Sequence, residues 1–98
     1  MDLEWDEEKR QATLRERGLD FADVVYLDPA SVVIDLDTRR DYGEIRYNMT
    51  GSLDGVLCRI CWTPRHGKMR IISMRKINDR ERKVYERART CSPKSGGC

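Results

Sequence analysis

Hydrophobic and polar positions recur with a helical period at the start of the chain and with an alternating period in its middle. Asp6 precedes an acidic first turn, and Gly18 follows a basic last turn, so the pattern predicts a helix over 7–17. Asp20 begins a second, short helix, and Asp28-Pro29 ends it. The N-terminal third is therefore predicted to be helical.

The middle of the chain alternates apolar and polar residues, which is typical of half-buried strands. Ile45, Tyr47 and Met49, for example, alternate with charged or amide side chains. The predicted strands cover 31–36, 42–50, 56–62 and 68–75, with a charged turn at 37–41, loops at 51–55 and 63–67, and a further possible strand at 2–5. Asn78, with Glu81 three residues on, caps a final helix that runs to about Arg89.

These elements predict an α+β fold, with two N-terminal helices and one C-terminal helix around a four- to five-stranded antiparallel meander. The N-terminal helices are expected to cover the apolar face of that sheet. We expect a single domain over 1–90, because a chain of this length forms one core. Residues 91–98 are rich in Gly, Ser and Pro and are expected to form a flexible C-terminal tail.

The apolar residues and the cysteines indicate where the protein is located and whether it binds a metal ion. No apolar run approaches the roughly 20 residues of a membrane span, and the acidic N-terminus is unlike a secretory signal, so the expected location is the cytoplasm. Cys58 and Cys61 form a C-x-x-C, but residues three apart on a strand point to opposite faces and cannot share one metal ion. We therefore expect reduced thiols, no metal and no cofactor.

Charge is divided unevenly along the chain, which the formal net charge of +2 conceals. Residues 1–37 carry 4 Lys/Arg against 11 Asp/Glu, whereas residues 38–98 carry 15 against 6. A basic face on a small sheet suits a polyanion, and RNA is the leading candidate.

Three arginines on predicted strands, Arg46, Arg70 and Arg75, are the main candidates for phosphate contacts. A half-buried arginine needs a partner, which is either a carboxylate, with Glu44 available to Arg46 or Arg75, or an RNA phosphate held by the guanidinium. Further candidate RNA-binding residues are Arg59, Arg80, Lys83 and Arg17, although charged helix residues are often merely solvated.

RNA cleavage through the ribose 2′-hydroxyl needs a base, an acid and cations that stabilise the phosphorane, and it needs no metal. The candidate proton-transfer residues are Glu44, Lys9 and His66. Because His66 is the only histidine, a mechanism that uses two histidines is excluded.

Several segments, in order along roughly residues 3–86, resemble the BrnT family of type II toxin–antitoxin ribonucleases, which adopt a RelE-like fold. The matching residues are Trp5-Asp6-Glu7-Glu8-Lys9, Leu14, Gly18, Phe21, Asp28-Pro29, Glu44-x-Arg46, the segment 70–75, Arg80-Glu81-Arg82 and Tyr85. The chain departs from the family pattern in the first helix, where Arg17 stands in place of a histidine, and after Gly55, where Val56 replaces an arginine.

The resemblance implies a metal-independent endoribonuclease toxin that inhibits translation, is neutralised by a BrnA-like antitoxin and reaches operator DNA only through the antitoxin complex. Arg46, Arg70 and Arg75 match the family pattern and are expected to stabilise the phosphate. Arg17 in place of the histidine favours an alternative, a catalytically degenerate module that pairs with the antitoxin and modulates operon repression. A small protein that binds DNA alone is a third class, but no helix-turn-helix pattern supports it.

Overall fold

The computed structural model describes residues 2–39 and 41–90, so the tail predicted at 91–98 lies outside the described residues. The protein combines helices with a five-stranded sheet, as the α+β prediction requires. In chain order the elements are β1 Leu3–Trp5, α1 Glu7–Arg17, 3-10 helices at Phe21–Tyr26 and Pro29–Ser31, β2 Val33–Leu36, β3 Tyr47–Leu53, β4 Val56–Arg65, β5 Lys68–Lys76 and α2 Asp79–Thr90.

The sheet has the strand order β1-β5-β4-β3-β2. Strands β2 to β5 form the predicted antiparallel meander, but β1 runs parallel to β5, with Leu3 opposite Met69 and Trp5 opposite Ile71. The sheet is therefore mixed, and the prediction of a purely antiparallel sheet is wrong. Parallel neighbours need a long crossover, and here the whole segment from α1 to β4 lies between the two strands.

The two hairpins of the meander are tighter than predicted. Asp54 and Gly55 turn β3 into β4 with φ of 51° and 83°, and His66 and Gly67 turn β4 into β5 with φ of 53° and 73°. Positive φ at both central residues is the geometry that matches the twist of paired strands. Strand pairing therefore continues through Leu53, and the loop predicted at 51–55 is mostly strand.

The helix boundary signals hold at both ends of the chain. Asp6 accepts hydrogen bonds from the first turn of α1, and Gly18 ends the helix with a φ of 68°. Asn78 and Glu81 exchange side-chain to backbone hydrogen bonds of 2.8 and 3.1 Å, so the predicted capping box of α2 is confirmed. The second predicted helix is a 3-10 helix, since its backbone N–H groups bond three residues back, as Asp23 does to Asp20 and Leu27 to Val24.

The core lies on one face of the sheet. Buried apolar residues between β1 and β2 pack there against the central strands, whereas α1 has no buried residue, so the segment after α1 provides most of the expected cover. The core comprises Leu19, Phe21, Val24, Leu27, Met49, Cys58, Ile60, Ile71 and Met74. No helix within residues 2–39 and 41–90 is long and apolar enough to cross a membrane.

A β-bulge in β5 decides which side chains share the other face. Cys61 pairs with Ser73 but Trp62 pairs with Ile71, so Ile72 is an extra residue in the ladder. Because of this extra residue, side chains an odd number of positions apart point the same way when they lie on opposite sides of Ile72, as Arg70 and Arg75 do. The face opposite the core, called the polar face below, carries Glu4, Asp35, Asn48, Thr50, Arg59, Cys61, Thr63, Arg70, Ser73 and Arg75.

Candidate functional site

The polar face places two arginines side by side. Arg59 on β4 pairs with Arg75 on β5, and Thr50 on β3 lies on the other side of Arg59. Side chains at directly opposite positions have Cβ atoms roughly 4.5–5.5 Å apart, and like charges there destabilise a sheet. An anion bound between the two guanidinium groups would replace their repulsion with attraction to the anion.

A hollow of about 170 Å³ opens on the polar face beside this pair. Small-molecule pockets usually measure roughly 300–1,000 Å³, so the hollow suits one phosphate-sized group rather than a whole nucleotide. Four arginines and three small polar side chains line it: Arg17, Arg39, Asn48, Arg59, Cys61, Ser73 and Arg75.

Arg75 is held by a bidentate ion pair with Glu81 of α2. Its Nη1 and Nη2 atoms donate to the two Glu81 carboxylate oxygens at 2.7 and 2.6 Å. These hydrogen bonds lower the pKa of Glu81 to about 2 and raise the pKa of Arg75. Because Glu81 also accepts from the backbone N–H of Asn78, the start of α2 and the position of Arg75 depend on one carboxylate.

Arg59 is held less firmly than Arg75. Its Nη1 donates to Thr50 Oγ1 at 3.2 Å, and its Nη2 lies 3.5 Å from an Asp35 carboxylate oxygen. That distance is at the limit of a hydrogen bond, whereas ion-paired N–H donors usually reach about 2.7–2.9 Å. Arg59 can therefore take up a better acceptor in the hollow.

The other two arginines enter the hollow from outside the central strands. Arg17, at the end of α1, donates from Nη1 to the backbone carbonyl of Met74 at 2.8 Å. Arg39 donates from Nε and Nη2 to the carboxylate of Asp37 at 3.0 and 2.8 Å, which lowers the pKa of that buried carboxyl. Within the described residues Arg17 has no carboxylate partner, so the hollow keeps excess positive charge.

The structure separates the three arginines proposed from the sequence. Arg75 lines the hollow, but Arg46 and Arg70 do not. Arg46 pairs with Glu44 through Nε at 3.0 Å and stacks on Tyr42 at 3.9 Å from the ring centroid. It directly precedes β3, two residues before Asn48 of the hollow.

Arg70 lies on the same face as Arg75 because of the bulge in β5. It forms an ion pair with Glu4 of β1 at 3.3 Å.

The sequence suggested Arg46 or Arg75 as the partner of Glu44. Only Arg46 forms this ion pair, since Arg75 pairs with Glu81. Each of the three arginines thus has a carboxylate partner, and only Arg75 also faces the hollow.

The remaining predicted residues divide between the hollow and its surroundings. Arg59 and Arg17 line the hollow, whereas Arg80 and Lys83 are exposed on α2. Lys9 is exposed on α1. His66 is exposed in the β4–β5 turn, five residues beyond Cys61, which corresponds to about 16 Å along a strand.

For four residues of the hollow, the sequence analysis predicted no functional role. Alternation places Asn48 and Cys61 opposite each other on the polar face, and this signal was present in the sequence. Ser73 depends on the bulge, and Arg39 lies in a segment without secondary structure, so no periodic pattern marks them. The two strand cysteines occupy opposite faces, Cys58 in the core and Cys61 in the hollow, as the strand period predicts.

The sequence of this chain matches a known protein family. A family model described as "Ribonuclease toxin, BrnT, of type II toxin-antitoxin system" matches residues 5–81, which is most of the chain. The chain belongs to the BrnT family. The resemblance found in its motifs is thereby confirmed, and the match contains all four arginines of the hollow.

BrnT toxins are ribonucleases at the family level, and membership of a type II system implies a cognate antitoxin as partner. A search of curated proteins finds no match to this BrnT chain. The assignment of individual residues therefore depends on the geometry of the hollow.

Proposed function

We propose that this BrnT chain is a metal-independent endoribonuclease toxin, with the RelE-like architecture that the resemblance implies, whose hollow binds the scissile phosphate of RNA. The placement of Arg59 opposite Arg75, in a polar hollow of phosphate size, is the observation that carries the proposal. Cleavage of cellular RNA would inhibit translation. A BrnA-like antitoxin would neutralise the toxin, and the complex of the two would bind operator DNA.

The hollow supplies the charge that such a cleavage needs. Attack of the ribose 2′-oxygen on phosphorus forms a bond to the 3′-phosphate and breaks the bond to the departing 5′-oxygen, through a phosphorane with added negative charge. Guanidinium groups bind phosphate oxygens in pairs, and preorganised donors at a developing charge lower the barrier. Arg59 and Arg75 are placed for this role, with Arg17 and Arg39 at the sides of the hollow.

Proton transfer is assigned to Glu44, four residues before Asn48 of the hollow. Its carboxylate lies 3.0 Å from Nε of Arg46, which directly precedes β3. Glu44 would accept the 2′-hydroxyl proton, and a solvent water would protonate the departing 5′-oxygen. Arg46 would orient the Glu44 carboxylate, and Arg70 would attract the flanking strand from the other end of the polar face. Lys9 and His66 are the rival proton carriers. Like Glu44 they are exposed and do not line the hollow, but each is farther along the chain from the nearest residue of the hollow than Glu44 is from Asn48.

Incubation of the purified chain with single-stranded RNA, with and without EDTA, tests this function. We expect cleavage in both conditions and products that end in a 2′,3′-cyclic phosphate, because the ribose 2′-oxygen is the nucleophile. Cleavage that EDTA abolishes, or products that end in a 3′-hydroxyl, would contradict the mechanism. In cells, induced expression should arrest growth and reduce translation unless the antitoxin is co-expressed.

Two observations favour a second function, a degenerate toxin that only pairs with the antitoxin and modulates operon repression. Arg46, Arg70 and Arg75 are each paired with a carboxylate, and Arg17, which occupies the position of the family histidine, is bonded to a backbone carbonyl. An arginine cannot act as a neutral base. Antitoxin binding without RNA cleavage by the wild-type chain would establish this second function.

A further inference from the structure

A second concavity, larger and more apolar than the hollow, lies between the edge strand β2 and helix α2. It has a volume of about 450 Å³ and includes Val33, Ile34, Val84 and Ala88 in its lining. We call this concavity the edge groove. Val84 is 61% exposed, so the edge groove presents an uncovered apolar side chain to solvent. Val33 shares the face of Thr50 and Arg59, whereas Ile34, 53% exposed, lies at the sheet edge with its side chain on the other face of β2.

Strand β2 makes the edge groove suited to an extended segment. It is the last strand of the sheet and pairs only with β3 within the described residues, so the backbone groups on its outer edge are unpaired. Leu36 on the same strand is 55% exposed. An uncovered, apolar edge strand is a template for a further strand from another chain.

The charges beside the edge groove favour an acidic occupant. Arg80 lines it and, in the part of the chain that the structure describes, has no carboxylate within ion-pair distance. Arg59 also lines it and is held only weakly by Asp35. A second copy of this chain would bring a similarly basic α2 against these arginines, which disfavours self-association through this surface.

The edge groove and the phosphate hollow share structural elements. Arg59 lines both, and Glu81 lines the edge groove while holding Arg75 in the hollow. A carboxylate that binds Arg59 from the edge groove would therefore take a phosphate ligand out of the hollow.

We propose that the edge groove binds an extended, acidic-apolar segment of the cognate antitoxin, which adds a strand to β2, packs apolar side chains between Val33 and Val84 and directs a carboxylate at Arg59. The existence of an antitoxin follows from the family, whereas blockage of RNA cleavage through Arg59 rests on the proposed function.

The experiment measures binding, without RNA, between the toxin and the protein encoded by the reading frame directly downstream of the toxin gene. Val84→Asp places a charge in the edge groove, and Val25→Asp is the matched control, because Val25 is a valine of 63% exposure in the Phe21–Tyr26 3-10 helix. We expect Val84→Asp to weaken binding at least tenfold and Val25→Asp to bind like wild type. Circular dichroism and thermal melting establish that both variants are folded.

Hydrogen exchange on the complex provides a second readout that needs no variant. An added strand should slow amide exchange within Val33–Leu36, whereas the outer face of α1 should exchange as in the free toxin. Equal binding by Val84→Asp, no binding by the wild-type chain, or unchanged exchange in β2 would overturn the proposal. A dimer of the toxin that Val84→Asp dissociates would also overturn it. Because the assay contains no RNA, its result is independent of whether the chain cleaves RNA.

Discussion

Arg59 and Arg75 lie directly opposite each other on the antiparallel strands β4 and β5, on the face of the sheet that is turned away from the core. Each has a carboxylate from a different element beside it, Asp35 of β2 for Arg59 and Glu81 of α2 for Arg75. A sheet selected for stability alone would avoid like charges at opposite positions. The placement of the pair therefore supports the proposal that this site binds an anion.

Arg59→Ala should weaken RNA binding about tenfold and reduce its dependence on salt, because one phosphate-binding cation is lost. For single strands the slope of log affinity against log salt changes by roughly 0.7 for each phosphate contact. Filter binding of a single-stranded RNA at several salt concentrations measures both quantities. Arg15→Ala is the control, since Arg15 is an exposed arginine of α1 outside the hollow, and it should behave like wild type. An equal loss in both variants would show that only overall charge matters.

Glu81→Gln should lower the free energy of unfolding by about 1 kcal/mol at neutral pH, because the cap of α2 and the Arg75 ion pair are both weakened. The pKa of Glu81 is about 2 in the folded chain, below the roughly 4.3 of an unperturbed glutamate. A lowered pKa gives stability that is present above the unfolded value and lost as the pH falls through the folded value.

Wild type should thus lose its advantage over Glu81→Gln between about pH 5 and pH 2. Urea denaturation of both proteins at several pH values measures this difference. A difference that stays constant across that range would show that Glu81 is not held by a charged hydrogen bond.

Glu44→Gln should slow RNA cleavage by roughly 10²–10⁴-fold if Glu44 accepts the 2′-hydroxyl proton. His66→Gln should leave the rate unchanged, because His66 lies in an exposed turn away from the hollow. Single-turnover cleavage of a defined RNA compares the two variants with wild type. A large loss in His66→Gln with a small loss in Glu44→Gln would reverse the assignment.

Local signals in the sequence were sufficient for the helix ends and for most strands. Asp6 and Gly18 bound α1 at the predicted residues, because capping depends only on neighbouring backbone groups. The same holds for the pair of Asn78 and Glu81 at the start of α2. The parallel direction of β1 could not be predicted from local signals, because the pairing of β1 with β5 depends on the path of the whole intervening chain.

The composition of the hollow was harder to predict than its charge. Alternation puts Asn48, Arg59 and Cys61 on one face, but it puts Arg70 and Arg75 on opposite faces of a regular strand. The extra residue Ile72 turns both arginines to the polar face, and no sequence pattern indicates that bulge. The partner of Arg75 was also missed, because Glu81 was already explained by its role in capping α2.

The rate of RNA cleavage by Ser73→Asp, compared with Ser73→Asn, tests the central claim most directly. Ser73 lines the hollow beside Arg75 and opposite Cys61, so an aspartate there would place a carboxylate among the four arginines without removing any of them. We expect Ser73→Asp to lose cleavage at least 100-fold while its melting temperature equals or exceeds that of Ser73→Asn, because the arginines gain a partner. Cleavage by Ser73→Asp at the rate of Ser73→Asn would contradict the claim that this hollow binds the RNA phosphate.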